Sequence, residues 1–415
     1  MPALLFSTLI FCTLCFGFTA KCQGSLVTYE SDWVIKEHWQ EHLPDAYIVN
    51  DSILMLVGLN VNMISKSVNF FIRWVSTTGQ TTRETEILNF PNPNGYSYQL
   101  SSYFRGSTRD KDFLYIIAAA DIQNCWDQGE MYTAFHLVKI NIDDGTLLKD
   151  TLLCQDGLRF FHNINTTAQE DSLYIYGFMG YTNETPKTML WTMTKDFGGI
   201  TENIIHTVET SLFPIGDTGS SRFVAGTHYP YEDGTKRYLR DIWYGELIGN
   251  EVTETKRLVY FEEHYLHKVR VLDTTEIAFL AFNYDGFYYD ESVIYVLRHD
   301  TLAWNFYDFF DQEVEDIFKV KNDYVILQSS FSESDDRKDK ILLHSIDQAG
   351  FPFAQIEFVV PWIVYAHGGI RLGNHYYVFV QISNRQERQD VVDGIIPLEV
   401  AKYEYTHIFK FRVNE

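Results

Sequence analysis

Two kinds of hairpin alternate along this chain, and the pair recurs about every fifty residues. One kind alternates apolar and polar residues on both sides of a turn, as in FFIRWVSTTGQTTRETEI (70–87) and AFHLVKINIDDGTLLKDTLL (134–153). The other has a more continuous apolar arm, as in DKDFLYIIAAA (110–120) and IFKVKNDYVILQSSF (317–331). Alternation is typical of a strand with one buried face, and a continuous apolar run is typical of a strand buried on both faces. The pattern therefore predicts inner hairpins of buried strands and outer hairpins of half-buried strands.

Two hairpins per repeat make a four-stranded antiparallel sheet, and seven repeats fill nearly all of the chain after its N-terminal segment. Sheets of this kind repeated radially form a β-propeller, which leaves only short strand edges exposed. We therefore predict an all-β, seven-bladed β-propeller. Six or eight blades, or a pair of β-sandwiches, are the alternatives. The turns of the outer hairpins lie near Gly79, Gly145, Gly198, Gly249, Asp300 and Gly350.

The ends of the chain predict how the ring closes. The last repeat ends at THIFKFRV (406–413) and lacks an outermost strand, whereas LVTYESDWVIK (26–36) belongs to no repeat of its own. We predict that the N-terminal segment supplies the missing strand. The alternative is a helical cap over residues 33–43.

Aromatic residues make up 16% of the chain, with 27 Tyr and 31 Phe. These residues favour pleated, half-buried surfaces, so the excess supports a strand-rich fold. Trp74, Trp191 and Trp243 recur at the same place in successive third strands. We expect all three to pack between blades.

The first residues predict export. Residues 3–20 (ALLFSTLIFCTLCFGFTA) are almost wholly apolar and end in small residues, as a secretory signal does. We predict a signal peptide over residues 1–24, cleaved after Ala20 or Gly24, and a single propeller domain over residues 25–415. The mature protein is then secreted and extracellular. An uncleaved membrane anchor is the alternative, because the segment is close to the length of a bilayer span.

Cysteine usage and sequons agree with an oxidising, secretory route. Cys125 and Cys154 lie in the body of the chain, at the same predicted face of the second blade, and we predict a disulfide between them. Two unbonded buried thiols are the alternative. Glycosylation is predicted at three sequons, Asn50, Asn165 and Asn183.

The formal net charge of −23 limits the partners. Such a field repels nucleic acid and anionic lipid headgroups, and it favours cationic ligands, basic proteins or Ca²⁺. The acidity is equally explained by solubility alone. The chain has no GxGxxG, P-loop, GxSxG or HExxH motif, so nucleotide, phosphoryl-transfer, serine-hydrolase and zincin functions have no support. No cofactor is predicted.

Most candidate site residues lie in segments that we assign to one face of the disc, where the loops between strands two and three and those between blades meet. We place His367 on an inner strand near the axis, beside Gly368 and Gly369, two glycines that allow a close backbone approach. Long loops on a rigid scaffold are where function concentrates. Paired carboxylates there would suit acid–base chemistry on a glycoside, coordination of Ca²⁺, or simply a solvated rim. His264 and His267 are three residues apart but are not on a helix, so no metal site is assigned. The candidates are Asp121, Trp126, His264, His267, Asp285, Tyr288, Glu315, Trp362 and His367.

These features predict a propeller that binds an extracellular protein, a glycan or a small cationic molecule on an acidic face rimmed by aromatic residues. One alternative is a glycan-directed hydrolase or lyase that uses rim carboxylates. Another is an acidic matrix protein whose charge matters more than any pocket. The sequence does not predict an oligomeric state.

Overall fold

The protein is described from a computed structural model. The described residues are 24–35, 41–62, 67–91, 104–122, 132–154, 158–169, 171–181, 187–206, 210–215, 222–230, 238–248, 251–262, 264–284, 289–299, 301–309, 312–330, 338–361, 363–383, 387, 389–390, 393–397 and 404–414. They are almost entirely β-strand. In this part of the chain, no helix has the length and apolar character needed to cross a bilayer.

The strands form seven four-stranded antiparallel sheets, and consecutive sheets contact each other in a ring. β1 (Val27–Ile35) comes first in the chain and belongs to the last blade. The first blade contains β2 (Glu41–Asn50), β3 (Ile53–Asn62), β4 (Ser67–Ser76) and β5 (Thr81–Pro91). The second contains β6 (Phe104–Arg109), β7 (Phe113–Ile122), β8 (Tyr132–Asn141) and β9 (Leu147–Cys154). The third contains β10 (Leu158–Gln169), β11 (Ser172–Tyr181), β12 (Lys187–Thr194) and β13 (Thr201–His206).

The remaining blades repeat this order. The fourth contains β14 (Thr210–Pro214), β15 (Arg222–Pro230), β16 (Tyr238–Ile248) and β17 (Glu251–Glu262). The fifth contains β18 (His264–Val271), β19 (Glu276–Tyr284), β20 (Tyr289–Arg298) and β21 (Thr301–Phe309). The sixth contains β22 (Gln312–Val320), β23 (Asp323–Ser330), β24 (Lys338–Ile346) and β25 (Pro352–Pro361). The seventh contains β26 (Ile363–Leu372), β27 (His375–Ser383), β28 (Glu404–Val413) and β1. The seven-bladed propeller predicted from the repeats is confirmed.

The ring closes as predicted, with β1 as the outermost strand of the seventh blade. β1 pairs antiparallel with β28, from Val27 opposite Val413 to Ile35 opposite Thr406. The alternative of a helical cap is wrong, because residues 33–35 and 41–43 are strand. β28 would otherwise present an unpaired edge, and the ladder to β1 satisfies its backbone groups.

The core lies between neighbouring blades. In one cluster, Met55, Phe70 and Trp74 of the first blade pack against Leu114 and Val138 of the second. Trp191 and Trp243 lie in the clusters between the second and third and between the third and fourth blades. The three tryptophans are at most 4% exposed, so the prediction that they pack between blades is confirmed.

The innermost strands share one irregularity that positions the site. In the described residues, the pairing between first and second strands shifts register in six blades, and only β14 pairs with β15 without a shift. A bulge places two residues opposite one and redirects the side chains around it. The shifts include Leu266/Lys268 in β18, Val314/Asp316 in β22 and Ala366/Gly369 in β26.

Candidate functional site

Charged side chains meet at the centre of the ring, which we call the hub. Lys268 of β18 donates from Nζ to the carbonyl oxygen of Glu315 in β22, at 2.9 Å. Its ammonium interacts electrostatically with the carboxyl groups of Asp316, Glu315 and Asp45. Asp45 is in β2 and accepts hydrogen bonds from Ser107 of β6. The hub cluster therefore joins the first, second, fifth and sixth blades.

Asp316 is the fixed anion of the hub cluster. It is 2% exposed, and Arg270 grips it with two hydrogen bonds, Nε to Oδ1 at 2.5 Å and Nη2 to Oδ2 at 3.1 Å. The amides of Ile317 and Gly369 and the hydroxyl of Tyr376 also donate to it. Burial opposes its ionisation, but Arg270 and Lys268 prevail and lower the pKa of Asp316 to about 2. With five donors, this carboxylate has no lone pair left for a substrate.

The pKa of Glu315 is shifted in the opposite direction to that of Asp316. Glu315 is 7% exposed, and the Ser329 hydroxyl donates to its Oε1 at 2.6 Å. Burial raises the pKa of Glu315 to about 8, although the Ser329 hydrogen bond opposes the shift, and the nearby Glu313 adds to it. Burial also raises the pKa of Glu313. These carboxyls are held where their charge is poorly compensated.

Lys268 and Asp45 complete the hub cluster. Burial, with repulsion from Arg270, lowers the pKa of Lys268 to about 8. Burial raises the pKa of Asp45, against two hydrogen bonds from Ser107, its amide at 3.1 Å and its hydroxyl at 2.6 Å. An acid and a base that both titrate near neutral pH in one buried cluster are characteristic of functional sites.

The two glycines of β26 allow this close packing. Gly368 has φ +83°, and a Cβ there would lie 2.6 Å from Lys268 Nζ and 3.2 Å from Asp316 Oδ2. A Cβ on Gly369 would lie 2.2 Å from Cζ of Tyr376, the tyrosine that reaches Asp316. The sequence predicted that these glycines permit a close backbone approach, and this is confirmed. The seventh blade therefore contributes backbone atoms, those of Gly368 and Gly369, to the lining of the hub.

Of the predicted site residues, the structure brings Glu315 into the hub cluster. Its predicted place in a rim loop is wrong, since Glu315 lies in the innermost strand β22. Glu315 is the bulged residue of β22, which periodicity does not reveal, and its carbonyl oxygen accepts a hydrogen bond from Lys268. His367 is half-buried in β26 and directly precedes Gly368, which agrees with its prediction on an inner strand near the axis.

The other candidates are not brought together by the described residues. Asp121 lies in β7, and His264 and His267 lie in β18, so they too are strand residues and not loop residues. Their side chains are outside the described part of the structure, as is the side chain of Cys154 at the end of β9. Trp126, Asp285, Tyr288, Trp362, Cys125 and Asn183 also lie outside the described residues.

The two described sequons differ in their surroundings. Asn50 ends β2 in an exposed turn, where its side chain accepts hydrogen bonds from the amide and hydroxyl of Ser52. Asn165 is half-buried in the innermost strand β10, and its amide donates to the carbonyl oxygen of Leu212 at 3.4 Å. An innermost strand leaves less room for a glycan at Asn165 than the exposed turn leaves at Asn50.

Sequence reasoning missed Lys268, Arg270, Asp45 and Tyr376. Lys268 and Arg270 carried a usable signal, because they are two cations, two residues apart, on the innermost strand of a blade in an acidic protein. In a strand, residues at this spacing share a face. No sequence signal pairs them with Asp316, which is 46 residues beyond Arg270.

Within the described ranges, no group of three or more His, Cys, Asp and Glu side chains converges to hold a metal ion. No protein-family model and no curated protein sequence matches the chain.

Solved structures with a similar fold are propellers of varied origin. The β-propeller domain of the Trilobed protease from Pyrococcus furiosus is 12% identical, with a TM-score of 0.48 over 83% of this chain and 90% of that one. A puromycin-hydrolyzing peptidase from Mycobacterium tuberculosis is 11% identical, with a TM-score of 0.48 over 84% of this chain and 51% of that one. The WD40 domain of SCAP from fission yeast is 6% identical, with a TM-score of 0.43 over 94% and 98%. At such identities the likeness is one of fold alone.

Proposed function

We propose that this protein is a secreted β-propeller that binds a small cationic molecule at its hub. The observation that carries the proposal is the set of three carboxyls with raised pKa in the innermost strands β22 and β2, namely the buried Glu315 and the half-buried Glu313 and Asp45. A raised pKa means that the ionised form lacks compensation, and a bound cation supplies it. Burying such groups costs free energy, and apolar residues would serve a purely structural hub as well or better.

The route of entry follows from the strand direction. Each innermost strand begins at the face where consecutive blades are joined, and Glu313 is nearest that end of β22, followed by Glu315. A cation entering from that face meets Glu313 first and the deeper carboxyls next. This is also the face to which the sequence assigns its acidic and aromatic loops.

The alternative of a glycan-directed hydrolase gains less support. Glu315 would suit a general acid, because its raised pKa keeps it protonated at neutral pH. The second carboxylate must be ionised and able to attack or to accept a proton. Asp316 is ionised, but its five donors leave it no capacity for that role.

Calorimetric titration with methylammonium and 1,4-diaminobutane tests the proposal. We expect saturable binding that strengthens as pH rises toward 8, since Glu315 ionises and Lys268 loses its competing charge in that range. Below pH 8, binding should release protons, which shows as a dependence of the heat on the buffer. The Glu315→Gln variant should bind at least about tenfold more weakly.

Glu357→Gln is the matched control, because Glu357 lies in the outermost strand β25 of the same blade and pairs with Lys340 at the surface. This variant should bind like the wild type. The proposal fails if neither amine binds saturably, or if the two variants bind with equal affinity.

A further inference from the structure

Lys268 is held in the hub without a direct ion pair to any of the described residues. Its described hydrogen bond goes from Nζ to the backbone carbonyl oxygen of Glu315, at 2.9 Å. Other half-buried lysines pair directly with a carboxylate, as Lys195 does with Asp110 at 2.8 Å. The described carboxyl groups of the hub cluster act on the Lys268 ammonium electrostatically, from beyond ion-pair distance.

The surroundings of this amine leave part of it uncovered. Lys268 is half-buried, so part of the residue meets solvent. On the side of the seventh blade, Gly368 presents only backbone, and a Cβ there would lie 2.6 Å from Lys268 Nζ. The amine therefore has neither a contacting carboxylate among the described residues nor a covering side chain from position 368.

An amine attacks a carbonyl carbon in its neutral form, so a lowered pKa makes a lysine reactive. Burial, together with repulsion from Arg270, lowers the pKa of Lys268 to about 8. At pH 7.5 roughly a quarter of the Lys268 amines are then neutral, against about one in a thousand for a lysine with the ordinary pKa of 10.5. Desolvation beside a second cation is the environment in which proteins activate a lysine for Schiff-base formation.

The net charge of the hub cluster is the same before and after such a reaction. The lysine nitrogen forms a double bond to the carbonyl carbon, and the carbonyl oxygen leaves as water with two of the three ammonium hydrogens. The product is an iminium, which keeps one hydrogen and the positive charge on nitrogen. The carboxyl groups of Asp316, Glu315 and Asp45 stabilise this charge as they stabilise that of the ammonium. The step needs no oxidant or reductant.

We propose that Lys268 is a nucleophile that binds a small aldehyde covalently, as an imine at the hub. The amine has no contact ion pair among the described residues, packs against the glycine backbone of β26 and lies among carboxyls that compensate the iminium charge. This activity goes beyond the proposed cation binding and does not depend on it.

The test is reaction of the full chain with propanal and sodium cyanoborohydride in amine-free buffer at pH 7.5. Cyanoborohydride delivers hydride to the imine carbon and fixes the adduct as a secondary amine, so peptide mass spectrometry can follow propylation at each lysine against time. We expect Lys268 to react at least about tenfold faster than Lys340, because its lowered pKa outweighs its partial burial. Lys340 is the matched reference, since it lies in β24 and pairs with Glu357 at the surface.

Two charge-conserving variants and a denatured control complete the experiment. Lys268→Arg should abolish the fast phase of propylation, and Lys340→Arg should leave it unchanged. In urea-denatured wild type the two lysines should react at similar rates, because the fold no longer desolvates Lys268. The comparison of the two sites within the folded wild type does not depend on the folding of any variant. The proposal is overturned if Lys268 reacts no faster than Lys340, or if the fast phase survives in Lys268→Arg.

The imine and the proposed cation site can fail independently. The calorimetric titrations contain no aldehyde, and the trapping reaction contains no added amine. Saturable amine binding without fast propylation of Lys268 would refute the imine and leave the cation site standing. Fast propylation of Lys268 without amine binding would refute the cation site and support the imine.

Discussion

Glu315 and Asp316 are neighbours in sequence, yet their carboxyls have opposite properties. In a regular strand their side chains would point to opposite faces, and the bulge in β22 changes that arrangement. The Asp316 carboxylate receives five hydrogen bonds, two of them from the Arg270 guanidinium, whereas the described donor to the Glu315 carboxyl is the Ser329 hydroxyl. The first is an anchor, and the second is the carboxyl to which we assign the proposed cation.

The raised pKa of Glu315 makes stability depend on pH. The folded protein keeps this proton up to about pH 8, whereas the unfolded chain releases it near the ordinary value of 4.5. The contribution of Glu315 to stability is therefore full below pH 4.5 and is lost as pH rises through 8. Glu315→Gln cannot titrate, so it should match the wild type near pH 4.5 and exceed it by about 1–3 kcal/mol at pH 8.

Urea unfolding of both proteins at several pH values measures this difference. The Glu357→Gln variant should show no such trend, because that side chain is at the surface. If the free energies of unfolding of Glu315→Gln and the wild type differ by a constant amount from pH 4.5 to 8, the conclusion that the charge of Glu315 is uncompensated is wrong.

Substitution of Gly368 by alanine tests whether the β26 backbone must approach Lys268 closely. Both Gly368 and Gly373 have positive φ, +83° and +57°, but a Cβ on Gly373 has nothing within 4 Å. Each Gly→Ala change should cost about 1–2 kcal/mol of backbone strain. Gly368→Ala must also displace the Lys268 ammonium, so it should cost at least about 1 kcal/mol more.

Thermal or urea unfolding of the two alanine variants provides the comparison. Gly368→Ala should also weaken amine binding at the hub, whereas Gly373→Ala should not. Equal destabilisation of the two variants would mean that the backbone of β26 does not confine Lys268.

At the scale of the strand, β1 joins the two ends of the chain. Its inward residues Val27 and Ile35 are at most 4% exposed. Its outward Glu30 pairs with Arg412 of β28 at 2.6 Å and with Lys410 at 3.3 Å. The strand therefore contributes a hydrogen-bond ladder, buried apolar surface and surface ion pairs.

Deletion of residues 25–36 should open the ring. It removes the partner of β28 and exposes apolar surface of the seventh blade, so we expect a loss of roughly 5 kcal/mol, comparable to the whole stability of many domains, together with loss of cooperative unfolding. Calorimetric melting measures it. Glu30→Gln removes the ion pairs but keeps the ladder, and it should cost at most about 1 kcal/mol. Unchanged melting of the deletion variant would contradict closure by β1.

At the scale of the whole molecule, the innermost strands order charge from one end to the other. Glu313 and Glu315 lie toward the start of β22, and Lys319 lies near its end. In β18, Arg270 lies nearer the turn than Lys268 does, and Arg371 likewise lies one residue before the end of β26. The acidic composition of the chain as a whole hides this internal polarity.

Export remains a prediction from the sequence, and the cysteines offer a test of it. Expressed through a eukaryotic secretory pathway, the mature protein should begin after Ala20 or Gly24 and carry a Cys125–Cys154 bond. Mass spectrometry after alkylation of the denatured, unreduced protein should find neither of these thiols modified. Alkylated Cys125 and Cys154 in secreted material would contradict the bond.

Much of the fold could be predicted from the sequence. Period-two alternation, turn glycines and an unmatched strand at each end are local signals, and they suffice for seven blades and their closure. The site could be predicted only in part. Glu315 was found as a member of an acidic run, but its location in a loop was wrong because a single bulged residue leaves no trace in the alternation.

By itself, the sequence determined which segments are strands, how they group into sheets and where the ring closes, because these depend on patterns within about fifty residues. The tertiary structure alone decided which charges meet. Lys268, Asp316 and Asp45 come from different blades, and circular arrangement brings them to one point. The surroundings there, and not residue type, set the two values. Arg270 and Lys268 overcome burial and lower the pKa of Asp316 to about 2, whereas burial raises the pKa of its neighbour Glu315 to about 8.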